Sequence, residues 1–402
     1  MTDRSIEEIV DQVQATDRPR LVAYVTGGGT EILPMLLRRG GGSSTLLSAR
    51  VPYSPEDLRL TLGFDPGRMV DSRTARGLAM AAFRHALRVC GDLTPGEVFG
   101  LGSTSKLSKG AGERTGRSHE VHAAIQTSTR TASTSVALPE GLERTVEERL
   151  NAIILLNLIA EVKGVMGRVP LETGAGLLPA DSIVIREASA EDCGGRSLEQ
   201  VIIGRNRWTM IDFDQFERSI EVDSPRLLLP GSFRPLHEGH RAMAEAASAR
   251  MGVRCDYEMT LSHPEKPPLD YLAIQSRLRP FNGTAARVYL TDAPTYREKA
   301  RLFPGCTFVV GHDTALRIVD PRFYGGTEGR DACLAEMERE GARFLVFGRV
   351  DGSGEFRNFS PQEFEHPVSG FLTRTALAIR GEDFRLDLSS TEVRRRSNEE
   401  FD

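Results

Sequence analysis

The chain of 402 residues is too long for one domain of ordinary size, and a hydrophobic share of 40% with 27% charged residues excludes a disordered or fibrous protein. A formal net charge of -5 excludes a broad polyanion-binding surface and leaves room for a local basic pocket that takes a small anion. Five scattered cysteines (Cys90, Cys193, Cys255, Cys306, Cys333) show no C-x-x-C spacing, which excludes a zinc ribbon or disulfide framework and predicts reduced core thiols.

Met1 to Glu8 carries acids where a signal peptide needs a basic region and an apolar run. The longest apolar stretch, Ala152 to Ala160, is broken by Asn157 and falls short of a membrane span. We therefore expect a cytoplasmic protein without membrane partners.

Leu21 to Val25 is a short apolar run ending in Thr26-Gly27-Gly28-Gly29-Thr30, and Glu31 to Arg39 has helical spacing up to Gly40. The pattern predicts strand, glycine turn and helix. From Ser72 to Cys90, Ala75, Leu78, Ala79, Ala82, Phe83 and Ala86 recur at the spacing of one apolar helical stripe. A further helix is expected from Glu143 to Lys163, ended by Gly164 and closing a first domain. Between Val165 and Asp223, Ser182 to Ile185 and Val201 to Ile203 read as short strands of a connecting layer, with turns at Leu177-Leu178-Pro179 and Cys193-Gly194-Gly195. Alternation then resumes: strand at Arg226 to Leu229, helix from Glu238 to Met251 before Gly252, and strands at Arg287 to Leu290, Thr307 to Val310 and Arg343 to Phe347. The expected class is α/β with domains at 1–165 and 225–402 joined by 166–224, the second an open parallel sheet with helices on both faces.

In such a sheet, ligands sit beyond the carboxyl ends of strands, where helix N-termini offer free N–H groups to phosphate. Residues 230–240 (Pro-Gly-Ser-Phe-Arg-Pro-Leu-His-Glu-Gly-His) stand there. Gly231 permits close backbone approach, Pro235 stiffens the loop, and His237 and His240 share one side of the first helical turn. The same His-x-x-His is open to reading as a metal site lacking a third ligand, or as a solvated helix start.

This loop resembles the H-x-G-H signature of the nucleotidyltransferase superfamily, the nicotinamide or nicotinate mononucleotide adenylyltransferases in particular. Gly311-His312-Asp313 is similar to that family's Gly-x-Asp segment, and Leu388-Ser389-Ser390-Thr391-Glu392-Val393-Arg394 to its second phosphate motif. Glu265 to Leu269, with Arg277-Leu278, is similar to the segment after its second strand. The resemblance covers roughly 170 residues and implies a Rossmann-like domain that moves an adenylyl group from ATP, carried with Mg2+, to a phosphate acceptor such as the pyridine mononucleotide. It implies that His237, His240 and Arg394 serve catalysis, and that Gly231, Ser232, Phe233, Gly239, Gly311, Asp313, Ser389, Ser390 and Thr391 bind the nucleotide. Lys266 would bind the acceptor, with no protein metal ligand. Asp313 is equally readable as a helix cap, and Lys266 as a surface lysine. Tyr289, Tyr296 and Phe303 are candidates to stack on a pyridine ring. Cytidylyl transfer, a different phosphorylated acceptor, or a non-catalytic nucleotide sensor are the alternatives.

The first domain resembles the C-terminal domain of competence/damage-inducible CinA proteins, the nicotinamide-nucleotide amidohydrolases. Thr26-Gly27-Gly28, Gly42-Ser43-Ser44, Pro52-Tyr53-Ser54 and the 72–90 helix recur in that family's order. The family's Glu-Ser-Cys before the glycines is Ala23-Tyr24-Val25 here, and its assisting lysine is Leu58, so the covalent chemistry lacks both nucleophile and base. The resemblance implies an α/β sandwich without amidohydrolase activity and a homo-oligomer formed through this domain. The glycine turn is open to two readings, a phosphate cradle or a tight turn that packs helix on strand. The polar stretch 112–122 either lines the old pocket or is a mobile loop.

Overall fold

The computed structural model describes residues 4–109, 116–174, 176–214, 224–262, 268–350, 356–381 and 384. In chain order the elements are α1 (Ile6–Ala15), β1 (Arg20–Thr26), α2 (Ile32–Leu37), β2 (Leu46–Arg50), α3 (Pro55–Leu62), α4 (Ser72–Val89), β3 (Val98–Lys106), β4 (His119–Gln126), β5 (Arg130–Leu138) and α5 (Arg144–Val162). Next come β6 (Glu172–Thr173), β7 (Gly176–Leu177), β8 (Ile183–Ser189), α6 (Ala190–Cys193), α7 (Gly195–Ile202), β9 (Trp208–Asp212), β10 (Leu227–Pro230), α8 (Glu238–Met251), β11 (Asp256–Thr260), α9 (Tyr271–Leu278) and β12 (Arg287–Thr291). The chain continues through α10 (Tyr296–Leu302), β13 (Thr307–Gly311), α11 (His312–Ile318), α12 (Thr327–Arg339), β14 (Arg343–Phe347), β15 (Arg349–Val350), β16 (Phe356–Arg357), α13 (Val368–Thr375) and β17 (Ala376–Ile379).

The chain divides into two compact units. One runs to Ile203 and includes the described part of 263–275; the other holds the remainder from Gly204. The segment 166–224 is shared between them: β8 joins the first sheet and β9 the second. Val201 to Ile203 does not form a strand. Val201 and Ile202 end α7, whose buried Ser197, Leu198 and Val201 lie on one helical face, so tertiary burial overrides the β preference of three branched residues.

The first unit is built on a six-stranded sheet of order β2-β1-β3-β4-β5-β8, with β1 parallel to β2 and β3 and the remaining neighbours antiparallel. Alternate residues of β1 serve two cores. Leu21, Ala23 and Val25 pack with α1, α2 and α5, while Val22 and Tyr24 pack with α3 and α4. Gly100 and Gly102 of β3 let α4 approach closely, because an added Cβ would lie 2.1 Å from the Ala79 carbonyl oxygen or 2.2 Å from its nitrogen. Asp270 and Tyr271 belong to this unit. Arg76 and Asp270 form a buried ion pair at 3.0 Å, and the Tyr271 hydroxyl donates to the Ser128 carbonyl.

The second unit has a seven-stranded sheet of order β17-β14-β13-β10-β11-β12-β9, parallel throughout except that edge strand β9 runs antiparallel to β12. After edge strand β9 the chain lays down β10, builds outward through β11 and β12, then returns to β10's other side for β13, β14 and β17. The order therefore reverses between β10 and β13, where an open sheet leaves a crevice. Leu228, Phe308, Val310, Phe344 and Val346 share a core with residues of α10 to α13, and Phe233, Tyr257 and Phe281 pack edge to face in a separate group.

Candidate functional site

Residues 230–240 bridge the carboxyl end of β10 to the start of α8. Gly231 donates its N–H to the Glu258 carbonyl of β11 at 2.9 Å. An added Cβ on Gly231 would sit 2.5 Å from the Phe233 ring, so the glycine is required by the ring folded over it. Phe233 is 1% exposed and holds φ at 43°, an uncommon angle for a bulky residue. Ser232 is exposed, and its carbonyl accepts from Arg277 Nη1 at 3.2 Å.

His237 is the N-cap of α8 and Gly239 is buried in its first turn. The two imidazoles lie with ring centroids 3.8 Å apart, and His240 also meets the Phe233 edge. The His237 N–H donates to His240 Nδ1 at 3.3 Å. This places the His240 proton on Nε2, as a donor. Burial first, and then the neighbouring His237, push the His240 ring down to about 3, so it is neutral at physiological pH. The His240 and Arg241 N–H groups donate to the His237 carbonyl at 2.9 and 3.4 Å, which leaves the Glu238 and Gly239 N–H groups at the helix start, where no intrahelical acceptor precedes them. The turn is thus suited to an anion.

Gly311 ends β13 and is the N-cap of α11, with Asp313 exposed in that helix's first turn. The ladder pairs Leu227 with Thr307 and Leu228 with Phe308; extending that offset puts Gly231 and Gly311 at one level, on either side of the crevice. Lys266, Ser389, Ser390, Thr391 and Arg394 lie outside the described residues. Tyr289 and Phe303 are core residues, 1% and 0% exposed and packed on each other and on Trp208. Neither is placed to stack on a ligand. Tyr296 packs edge to face on Phe308 and Phe344. Among the described residues, no three His, Cys, Asp or Glu side chains gather as a metal site.

Glu258 had no signal in the sequence. Its carboxylate is 1% exposed and accepts from Lys299 Nζ at 2.8 Å and Thr291 Oγ1 at 2.5 Å, while its carbonyl holds Gly231. Lys299 also donates to the Ala293 carbonyl at 2.7 Å. The floor of the loop is therefore clamped by a buried ion pair.

The glycine turn of the first unit is different. Gly27 and Gly29 have φ of 78° and 82°, and each of Gly27, Gly28 and Gly29 abuts atoms closer than a Cβ permits. The Gly29 N–H, Thr30 hydroxyl and Glu31 N–H all donate to the Glu148 carboxylate, at 2.8, 2.8 and 3.3 Å. Nearby, fully buried Glu147 accepts from the Ser108 N–H at 2.5 Å and lies 2.6 Å from His119 Nδ1. Ala23 is core, Leu58 is 3% exposed within the α3–α4 core, and the Tyr24 hydroxyl is 2.8 Å from His85 Nδ1. Burial, with Arg88 and Arg50 nearby, lowers the His85 pKa. All five cysteines are free thiols, four of them buried. No described helix is long and apolar enough to cross a membrane.

No family model and no curated protein matches the chain. Among solved structures it is similar to the competence/damage inducible protein CihA from Agrobacterium tumefaciens, with 18% identity over 40% of this chain and 98% of that one and a TM-score of 0.33. It is likewise similar to the competence or damage-inducible protein from Enterobacter asburiae (16% identity, 40% and 99% covered, TM-score 0.31). A CinA superfamily protein from Enterobacter cloacae gives 15% identity, 40% and 96% covered, and a TM-score of 0.32.

Proposed function

We propose that the second unit is a nucleotidyltransferase that binds Mg2+-ATP at 230–240 and passes the adenylyl group to a phosphate acceptor, nicotinamide or nicotinate mononucleotide being the leading case. One observation carries this reading: two imidazoles with centroids 3.8 Å apart at a helix N-terminus, beside the crevice where the order of a parallel sheet reverses. The acceptor's phosphate oxygen attacks the α-phosphorus in line, the bond to the bridging oxygen breaks, and pyrophosphate leaves. No protein nucleophile takes part, so the work is positioning and charge stabilisation. Neutral His240 offers Nε2–H to a phosphoryl oxygen. The start of α8 offers the Glu238 and Gly239 N–H groups, and Gly311, with open space where a Cβ would stand, lets the nucleotide approach the main chain, while Gly231 makes room for the Phe233 ring. In this reading Ser389, Ser390 and Thr391 form a second phosphate seat, Arg394 holds the departing pyrophosphate and Lys266 contacts the acceptor. In the same reading the first unit has no amidohydrolase activity: the positions matching that family's nucleophile and lysine are Tyr24, whose hydroxyl lies 2.8 Å from His85 Nδ1, and Leu58, a core residue.

The test is to incubate the protein with Mg2+, ATP or CTP and a panel of phosphorylated acceptors, following pyrophosphate. Release with ATP and a pyridine mononucleotide is expected, falling about a hundredfold or more in His240→Ala. That variant also loses the acceptor for the His237 N–H, at a stability cost of about 1 kcal/mol. No release with any pair would sink the reading, and an unimpaired His240→Ala would move the site elsewhere.

A further inference from the structure

The first unit holds a cavity of about 340 Å³ among α1, α2 and α5, at the lower end of the roughly 300–1,000 Å³ range of small-molecule pockets. Its apolar floor is Ile6, Val10 and Met35. Val10 is 3% exposed, and Ile6 and Met35 are half-buried against the core that α5 shares with β1. The walls are tied together by the chain itself. Gln14 Nε2 of α1 donates to the Leu36 carbonyl of α2 at 2.7 Å, and the Gly29 and Glu31 N–H groups fasten the start of α2 to Glu148 of α5. The polar lining is three guanidiniums, Arg38, Arg39 and Arg149, and two carboxylates, Glu7 and Glu31. Two of the guanidiniums are already answered: Arg39 by Asp11 at 2.8 Å and Arg149 by Glu31 at 3.8 Å. Among the described residues, Glu7 and Arg38 enter no ion pair and no side-chain hydrogen bond, with each other or with a neighbour. One acid and one guanidinium are thus left over at the mouth of an apolar hole. A simple anion would answer only Arg38 and a simple cation only Glu7; a zwitterion answers both.

We infer that this cavity binds a free α-amino acid with an apolar side chain, its carboxylate held by Arg38, its ammonium by Glu7 and its side chain on Ile6, Val10 and Met35. Both charged residues are exposed, so each contact is screened by water and the affinity lies in the millimolar range. The site is independent of the activity proposed for the second unit, because every residue that lines it belongs to the first.

Calorimetric titration of the full chain, without nucleotide, with L-leucine, with isocaproate, which lacks the ammonium, and with isoamylamine, which lacks the carboxylate, tests it. L-leucine binds and saturates, and each analogue binds about tenfold more weakly or worse, as expected for one lost charge-assisted contact. Glu7→Gln and Arg38→Met change exposed side chains that hold no other residue, so both variants fold. Glu7→Gln brings the affinity for L-leucine down to that of isocaproate and leaves isocaproate binding unchanged; Arg38→Met does the same with respect to isoamylamine. Any of three results overturns the assignment: no heat with L-leucine at its solubility limit, either analogue binding as tightly as L-leucine, or either variant binding L-leucine as the wild type does.

Discussion

Two strand-to-helix turns, one in each unit, read alike in sequence: an apolar strand, glycine, polar residues, then a helix. They differ in what their donors hold. At β1–α2 the donors close on the Glu148 carboxylate. At β10–α8 the described bonds go to the Glu258 carbonyl and to His240 Nδ1, while the Glu258 carboxylate is taken up by Lys299 and Thr291. A glycine turn is thus evidence for a phosphate only after its own chain's anions have been located.

The largest expected effect tests the clamp under the second turn. Lys299→Met strands a buried carboxylate and should destabilise the second unit by about 3 to 5 kcal/mol, whereas removing both charges in Lys299→Met/Glu258→Leu should recover much of that. Trp208, the chain's single tryptophan, lies in β9 of this unit, so its fluorescence during denaturant unfolding is the measurement. A single variant as stable as wild type would show that the clamp does not matter.

Next comes the glycine contrast. Gly27→Ala meets both a φ of 78° and a backbone oxygen 2.1 Å from the new Cβ, and should cost the first unit about 3 kcal/mol or more. Gly231→Ala meets only a side-chain ring and should cost about 1 to 2 kcal/mol. Equal losses by thermal unfolding would erase the distinction between the turns.

A third effect concerns pH. The folded His240 ring titrates at about 3 instead of 6.5, so between those values the unfolded state binds the extra proton. The stability contribution is complete above 6.5 and is lost as pH falls toward 3. The second unit should weaken by about 1 to 3 kcal/mol from pH 7 to pH 4 by Trp208 fluorescence, and His240→Gln should flatten that slope. The smallest effect is Thr30→Val, which removes one donor from Glu148 and should cost about 1 kcal/mol, seen as modestly faster exchange at Gly29.

How far these features were legible depended on how locally each is encoded. The helices at 72–89 and 144–162, β1, β10, α8, β12, β13 and β14 follow from apolar periodicity and glycine stops. The meander β3–β5 was not read, because its strands are rich in glycine, serine, threonine and alanine; small residues there let α4 press on the sheet, and that gain is tertiary. Strand β11 is hidden by Asp256 and Glu258, both buried acids; Asp256 pairs with Arg254 two residues away, but Lys299, the partner of Glu258, is supplied only by the fold. The His237–His240 pair was legible since three residues of helix bring the rings together. Glu148 was not: it lies 119 residues from Gly29 and looks like one more acid on a helix.

Phe233 draws out one more property of the second turn. Its backbone stays in the left-handed region through protein contacts alone, wedged among His240, Tyr257 and Phe281. A loop so braced has little shape left to acquire. If the proposed nucleotide site is correct, binding there would be docking into a finished mould, with little entropy lost to loop ordering, and its heat would report the exchange of water for phosphate oxygens at the α8 N-terminus.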